Sequence, residues 1–170
     1  MKKFLLGLIA AVCVAFGASA QRTELQIGYG GYTQMDATDM HNVGKINTAW
    51  GALTAGVNFK LAPKLWVGPS YSFSSSSYKI SPVNIYYHVI MLNGRYEYYR
   101  NSIVKLYGHM GLGVDISHMA YDGLKENKGY FAYQFSPLGA QVDLARGISM
   151  FGELGFGAQG LLQVGVRFGI

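Results

Sequence analysis

Apolar and polar residues alternate along most of the chain with the two-residue period of β-strands. In the last such stretch, one face carries Leu162, Val164, Val166, Phe168 and Ile170, while small and polar residues occupy the other. The same period predicts eight strands, at residues 23–31, 49–61, 65–73, 85–98, 104–116, 129–144, 148–156 and 161–170. The sequence therefore predicts an all-β protein.

The predicted connections alternate between long and short. Long polar loops are expected at residues 36–46, 74–82 and 117–128, and tight turns at 62–64, 99–102 and 145–147. Transmembrane β-barrels have short periplasmic turns and longer outer loops, and about 9–11 residues of strand cross a bilayer at a tilt. The pattern predicts an eight-stranded antiparallel up-and-down transmembrane β-barrel with both chain ends on the periplasmic side.

A soluble lipocalin-like barrel would show the same alternation, so composition is needed to choose between the two. Only 14% of the residues are charged, and the polar faces consist largely of Gly, Ser, Thr, Asn and Gln. Such faces suit a small lumen better than a water-exposed surface. The apolar faces would expose far more than the few hundred Å² that a soluble protein tolerates, so we expect them to contact lipid.

The first twenty residues have the pattern of a secretory signal peptide. Lys2 and Lys3 precede an apolar run at residues 4–17, and Ala18 and Ala20 form an A-x-A cleavage site. The run is shorter than the roughly 17 residues of a spanning helix. We therefore expect a signal peptide at residues 1–20 and a barrel domain at residues 21–170. The single cysteine, Cys13, lies within the leader, so no disulfide is expected in the mature chain.

The facing of the fourth strand is ambiguous, because residues 85–98 are apolar on both sides. The assignment that we favour points His88 into the lumen and points outward Ile85, Tyr87, Val89 and Met91. In the sixth strand, the apolar residues change from odd-numbered to even-numbered positions at Ser136 and Pro137, which predicts a β-bulge there.

The inward faces carry both charged and bulky residues. Glu153 and Arg167 share the lumen face of the last two strands, and a short turn should place residue 153 opposite 165 or 167. A buried carboxylate needs a partner, so we predict a structural ion pair between them, joined by Lys105 or Tyr107. A narrow channel at most is expected, because the lumen should also hold Trp50, Trp66, Tyr107 and Phe151.

Several segments resemble a known family. The order of Gln163, Gly165, Phe168 and Ile170 resembles the C-terminal assembly signal of Gram-negative outer-membrane barrels, although the commonest form ends on an aromatic residue. With the segments at 135–139 (FSPLG) and 151–157 (FGELGFG), the chain resembles the small outer-membrane β-barrel family, similar to opacity-type and OmpX-like proteins and to porin-family barrels of Bacteroidetes. The resemblance implies location in the outer membrane, with lipid, lipopolysaccharide and the barrel assembly machinery as partners.

The candidate functions belong to different classes. We expect a structural or surface-interaction protein whose loops at 36–46, 74–82 and 117–128 contact an extracellular ligand. A narrow small-solute pore and a lipid-modifying enzyme remain alternatives. The lipid A deacylase barrels are also eight-stranded, but the chain lacks their His-x-Ser motif, and nothing positions a base beside Ser117 or Ser149. We expect no enzymatic activity and no cofactor or metal, since no histidine spacing suggests one, and no nucleic-acid partner, since the basic residues are scattered.

Overall fold

Eight strands and one short helix make up the part of the chain that the structure, a computed structural model, describes: residues 23–37, 49–77, 84–121 and 124–170. The predicted signal peptide lies outside these residues. The elements are β1 (Thr23–Gly31), α1 (Gln34–Ala37), β2 (Ala52–Ala62), β3 (Leu65–Ser77), β4 (Asn84–Arg100), β5 (Val104–Tyr121), β6 (Leu124–Ala145), β7 (Ile148–Gly157) and β8 (Leu162–Gly169). No helix of the described residues is long and apolar enough to cross a membrane.

The strands form one closed antiparallel barrel in sequence order. Closure is made by β8 on β1, where Ile27 lies opposite Val166, so no strand in the wall lacks a neighbour. Thr23, Gly169 and the turns at residues 63–64, 101–103 and 146–147 share one end, which we call the terminal end. The opposite end, which carries α1, is called the loop end. The predicted fold class is confirmed.

The two faces of the wall differ sharply in polarity. Ile27, Leu112 and Val164 are each 50–53% exposed on the outer face, whereas Gln26, Asn58 and Ser72 are buried in the lumen. The predicted facing is therefore confirmed for these strands. A continuous apolar outer face needs an apolar solvent, and every backbone group of a closed wall can be paired without water.

The favoured facing of the fourth strand is wrong. In β4 the lumen residues are Ile85, Tyr87, Val89 and Met91, all buried, and His88 lies on the outer face, where its Nδ1 is 2.7 Å from the hydroxyl of Tyr71. The physical reason is that the loop end of the lumen is apolar: these four side chains pack with Met35 of α1, Ala132 and Ala158. Hydrophobicity therefore does not mark the lipid face at this level.

Two of the predicted long loops contain strand residues. β3 continues to Ser77 opposite Asn84, and β5 continues to Tyr121 opposite Leu124. Residues 74–77, 117–121 and 124–128 thus belong to β-ladders, while 78–83 and 122–123 lie outside the described residues. We call these paired extensions the arms. Their backbones continue the strand pairing, although their sequences no longer alternate regularly between apolar and polar residues. Of the loop predicted at 36–46, α1 accounts for residues 36–37, and residues 38–46 fall outside the described ranges.

Trp50 is not a lumen residue. Its ring is 46% exposed on the outer face and stacks on Tyr29 at a centroid distance of 5.9 Å. The next residue, Gly51, has a φ of 108°, a conformation that favours glycine and reverses the strand's alternation just before β2. The bulge expected at Ser136 and Pro137 is confirmed by register shifts of β6 against both neighbours.

Candidate functional site

The middle of the lumen holds a buried ion pair between β7 and β8. Arg167 Nη2 donates to Glu153 Oε1 at 3.1 Å, and each side chain is only 2% exposed. The predicted register is wrong, because Glu153 lies opposite Gln163 and Arg167 opposite Ser149. The two side chains nevertheless meet. Arg167 lies farther along β8 than Gln163, the residue opposite Glu153, and its long side chain extends along the lumen back to the Glu153 carboxylate.

Glu153 is the centre of a wider network. Tyr107 Oη donates to Glu153 Oε1 at 2.8 Å, and His109 Nδ1 lies 2.7 Å from Glu153 Oε2. Arg167 also donates to Tyr107 Oη at 3.0 Å and to Gln141 Oε1 at 2.8 Å. The network therefore ties β5, β6, β7 and β8 together, and it supplies the partners that a carboxylate and a guanidinium require when they are withdrawn from water.

Lys105 does not join this network. Its ammonium lies 2.8 Å from Asp143 Oδ2, and the two side chains are 19% and 35% exposed. Lys105 is two residues nearer the terminal end than Tyr107, which places its ammonium beside the β6 carboxylate instead of Glu153. The expectation that Lys105 belongs to the interior pair is therefore wrong.

A second ionic cluster, which the sequence reasoning missed, lies nearer the terminal end. Arg95 Nη2 donates to Glu24 Oε2 at 2.5 Å. Glu97 accepts from the indole Nε1 of Trp66 at 2.7 Å and forms an ion pair with Arg100. The signal was present in the sequence: Arg95 and Glu97 both stand at odd-numbered positions, and strict alternation from them would also have placed Ile85, Tyr87, Val89 and Met91 inside.

The two buried guanidinium groups are stacked among aromatic rings. Arg95 lies 4.8 Å from the ring centroid of Trp66 and 5.4 Å from that of Tyr107. Arg167 lies 4.8 Å from Tyr107 and 4.0 Å from Phe151. Planar groups stacked in this way fill the cross-section of the barrel and favour the charged guanidinium.

Little space remains at this level of the lumen. The cavity there has a volume of about 10 Å³ and is lined by Gln26, Asn58, Asn93, Arg95, His109, Glu153 and Arg167. That is room for about one water molecule. An eight-stranded barrel is just wide enough for its own side chains to fill, and here polar and aromatic side chains fill it.

One buried carboxylate stands outside both clusters. Asp115 of β5 is 1% exposed, and neither of its carboxylate oxygens has a hydrogen-bond partner. It lies opposite Val89 on one side and Tyr130 on the other. A charge in such a place costs stability, so Asp115 is the least favourable polar group described in the wall.

The described histidines do not form a hydrolytic site. His88 bonds to Tyr71, His109 to Glu153 and Asn93, and His118 to Asn127. These partners are a phenol, a carboxylate and amides, not serine hydroxyls. Ser149 faces the terminal end of the lumen and Ser117 donates to the carbonyl of Lys128. His41 lies outside the described residues.

The residues of the predicted assembly signal lie on β8 and at its end. Gln163 faces the lumen, whereas Phe168 and Ile170 are on the outside, 38% and 78% exposed. Gly165 has a packing requirement of its own: a Cβ there would lie 2.2 Å from the carbonyl oxygen of Ile27 and 2.7 Å from the Phe151 ring. A change at Gly165 would therefore disturb the wall whatever its role in assembly.

Comparison with protein families agrees with this geometry. The model of the outer membrane protein beta-barrel domain matches residues 4–158. The chain belongs to this family. It is thus an outer-membrane protein. Transmembrane barrels of this kind have short turns on the periplasmic side, so we expect the terminal end to face the periplasm and the loop end to face the cell exterior.

Solved structures support the fold. The N-terminal β-barrel domain of Pseudomonas aeruginosa OprF is similar with a TM-score of 0.57 at 10% identity, covering 88% of this chain and 97% of that one. Ail of Yersinia pestis, in a phospholipid nanodisc, gives a TM-score of 0.53 at 12% identity, covering 88% and 99%. Ail in complex with the heparin analogue sucrose octasulfate gives 0.52 at 13% identity, covering 89% and 96%. Comparison with curated protein sequences finds no significant match.

Proposed function

We propose that this outer-membrane barrel has a structural and surface-interaction role. Its lumen conducts no solute, and the protein has no enzymatic activity. The observation that carries the proposal is the filled lumen: the Glu153–Arg167 network and the stacked Arg95 leave a space of about 10 Å³ at the middle of the barrel. A hydrated sugar or amino acid is far larger than the single water that fits there.

The loop end supports the surface-interaction part of the proposal. β4, β5 and β6 have 17, 18 and 22 residues, whereas about 9–11 residues cross a bilayer. The excess forms arms that, in the family's orientation, extend outside the cell. Exposed loops and arms on a rigid scaffold are where binding residues are most often found. The partner would be an extracellular ligand of the segments at 36–46, 74–82 and 117–128.

The same features weaken the two alternatives. A pore would need a path past the network, which is fixed by several charge-assisted hydrogen bonds. A lipid-modifying enzyme would need a nucleophile beside a base, and the described histidines have other partners.

One preparation of liposomes can test both alternatives, the pore and the enzyme. The refolded barrel should cause no swelling in isosmotic glucose or glycine, and it should release no fatty acid from lipid A or phospholipid during the same incubation. The double variant Glu153→Ala with Arg167→Ala, which removes the centre of the network, serves as the opened control. Swelling by the unaltered barrel at the rate of this control would refute the sealed lumen, and release of fatty acid would refute the non-enzymatic role.

A further inference from the structure

The terminal end of the lumen is not filled. A cavity of about 640 Å³ opens there, on the periplasmic side of the stacked Arg95. We call this cavity the vestibule. Its inner walls carry buried polar and aromatic side chains: Trp66, Glu24, Gln141 and Ser149. A barrel of eight strands is ordinarily occupied by its side chains, so a space of this size at one mouth is a distinctive feature of this chain.

Cationic side chains converge on the vestibule from separate parts of the wall. Lys60 comes from β2, Arg100 from β4, Lys105 from β5, and Arg146 from the turn between β6 and β7. The Lys60 ammonium lies 5.7 Å from the ring centroid of Trp66. Four cations from four elements therefore border one cavity.

The carboxylates around the vestibule already have partners. Glu24 is paired with Arg95 at 2.5 Å, Glu97 with Arg100, and Asp143 with Lys105 at 2.8 Å. Among the described residues, the cations of the vestibule and its floor are Lys60, Arg95, Arg100, Lys105 and Arg146, and the facing carboxylates are those of Glu24, Glu97 and Asp143. Adding the terminal carboxylate of Ile170, which also borders the cavity, still leaves the cations in excess.

We propose that the vestibule binds a compact multivalent anion, a polycarboxylate or a polyphosphate, that enters from the periplasm. A cleft with low-dielectric walls and an excess of one charge concentrates ions of the opposite sign. Arginine and lysine side chains suit carboxylate and phosphate oxygens alike, so the shared chemistry of the ligand is several anionic oxygens within a small volume. This site is independent of the loop end and of the proposed surface role.

The chain offers an internal probe and a matched control. It has two tryptophans, of which Trp66 lines the vestibule and Trp50 lies on the outer surface, so Trp50→Phe leaves the indole of Trp66 as the reporter. Arg146 and Lys64 are both exposed cations in turns at the terminal end, but only Arg146 borders the vestibule. Arg146→Gln therefore removes a vestibule cation, and Lys64→Gln removes a similar charge beside it.

The experiment is a fluorescence titration of the Trp50→Phe barrel in neutral detergent with citrate and, separately, with pyrophosphate. We expect a saturable change with at least one anion, about tenfold weaker binding in Arg146→Gln, unchanged binding in Lys64→Gln, and weaker binding at high salt. The anion that binds more tightly identifies the carboxylate or the phosphate source. The neutral trimethyl ester of citrate should have no effect.

Two results would overturn the proposal. One is the absence of a saturable change with either anion. The other is equal weakening by Lys64→Gln and Arg146→Gln, which would indicate general attraction to a basic surface. If Trp50→Phe does not refold, the indole N–H resonance of Trp66 in the unaltered barrel reports the same titration by NMR and leads to the same decision.

Discussion

The buried pair of Glu153 and Arg167 can be tested by a double-mutant cycle. The single changes are Arg167→Met and Glu153→Gln. Arg167 donates hydrogen bonds to Glu153, Tyr107 and Gln141 within 3.1 Å, and both members of the pair are 2% exposed. Removing one partner of such a pair leaves an uncompensated buried charge and typically costs about 3–5 kcal/mol.

The double variant should be more stable than either single variant, because it leaves neither charge unpaired. Replacement of a whole buried ion pair by groups of similar size is often close to neutral. We therefore expect a favourable coupling of at least about 2 kcal/mol, beyond the roughly 0.5 kcal/mol within which independent sites add. The assay is equilibrium urea unfolding of the barrel refolded into phospholipid vesicles, followed by tryptophan fluorescence.

The pair of Lys105 and Asp143 is the matched control. It is also an ion pair within the barrel, at 2.8 Å, but its side chains are 19% and 35% exposed. Lys105→Met and Asp143→Asn should each cost less than about 1 kcal/mol, with little coupling. If the double variant of Glu153 and Arg167 is no more stable than the single variants, the pair is not a buried structural unit.

Four further predictions concern single residues. Asp115→Asn should raise the free energy of unfolding in urea by about 1–3 kcal/mol, because it removes a buried carboxylate without hydrogen-bond partners; a lower free energy of unfolding would mean that the carboxylate has a partner after all. Gly51→Ala should lower stability by about 1 kcal/mol or more, since its φ is 108° and a Cβ would lie 2.6 Å from the Tyr29 hydroxyl oxygen; unchanged thermal unfolding would contradict this. Phe168→Ala should reduce insertion in cells while refolding into detergent remains normal, and equal yields in cells would remove the assembly-signal hypothesis. Gly165→Val should impair both, because of its contact with Ile27.

Alternation predicted most of the strands, and together with the loop lengths and the low charge content it predicted the transmembrane barrel. In β1, β2, β3, β5, β7 and β8, the lipid side needs apolar residues and the lumen takes polar ones. The period of two therefore predicts both that the segment is a strand and which of its residues face the lumen. The same logic located Glu153 and Arg167 on one inner face. It did not predict the register between them, since the register depends on the geometry of the turn at residues 158–161.

The errors have a common physical origin. The alternation of apolar and polar residues reflects the environments of the two faces of a strand, and a strand whose two faces have similar environments does not show it. At the loop end of β4 both sides are apolar, because Ile85 and Tyr87 pack in the lumen against Met35. At residues 117–121 and 124–128 the sequence loses its regular apolar alternation, yet the pairing of β5 with β6 continues. The ionic cluster of Arg95, Glu24 and Glu97 joins residues that are distant in sequence, and only closure of the barrel brings them together.

We expect the arms of β5 and β6 to lie outside the cell and the terminal end to lie in the periplasm. The most direct measurement uses single cysteines, because the chain's only native cysteine is Cys13, within the expected leader. Asn127→Cys lies on the β6 arm and Lys64→Cys in the turn between β2 and β3, and both positions are exposed. A membrane-impermeant maleimide should label Asn127→Cys in intact cells and Lys64→Cys only after the outer membrane is permeabilised. Labelling of Lys64→Cys but not Asn127→Cys in intact cells would show that the barrel has the opposite orientation.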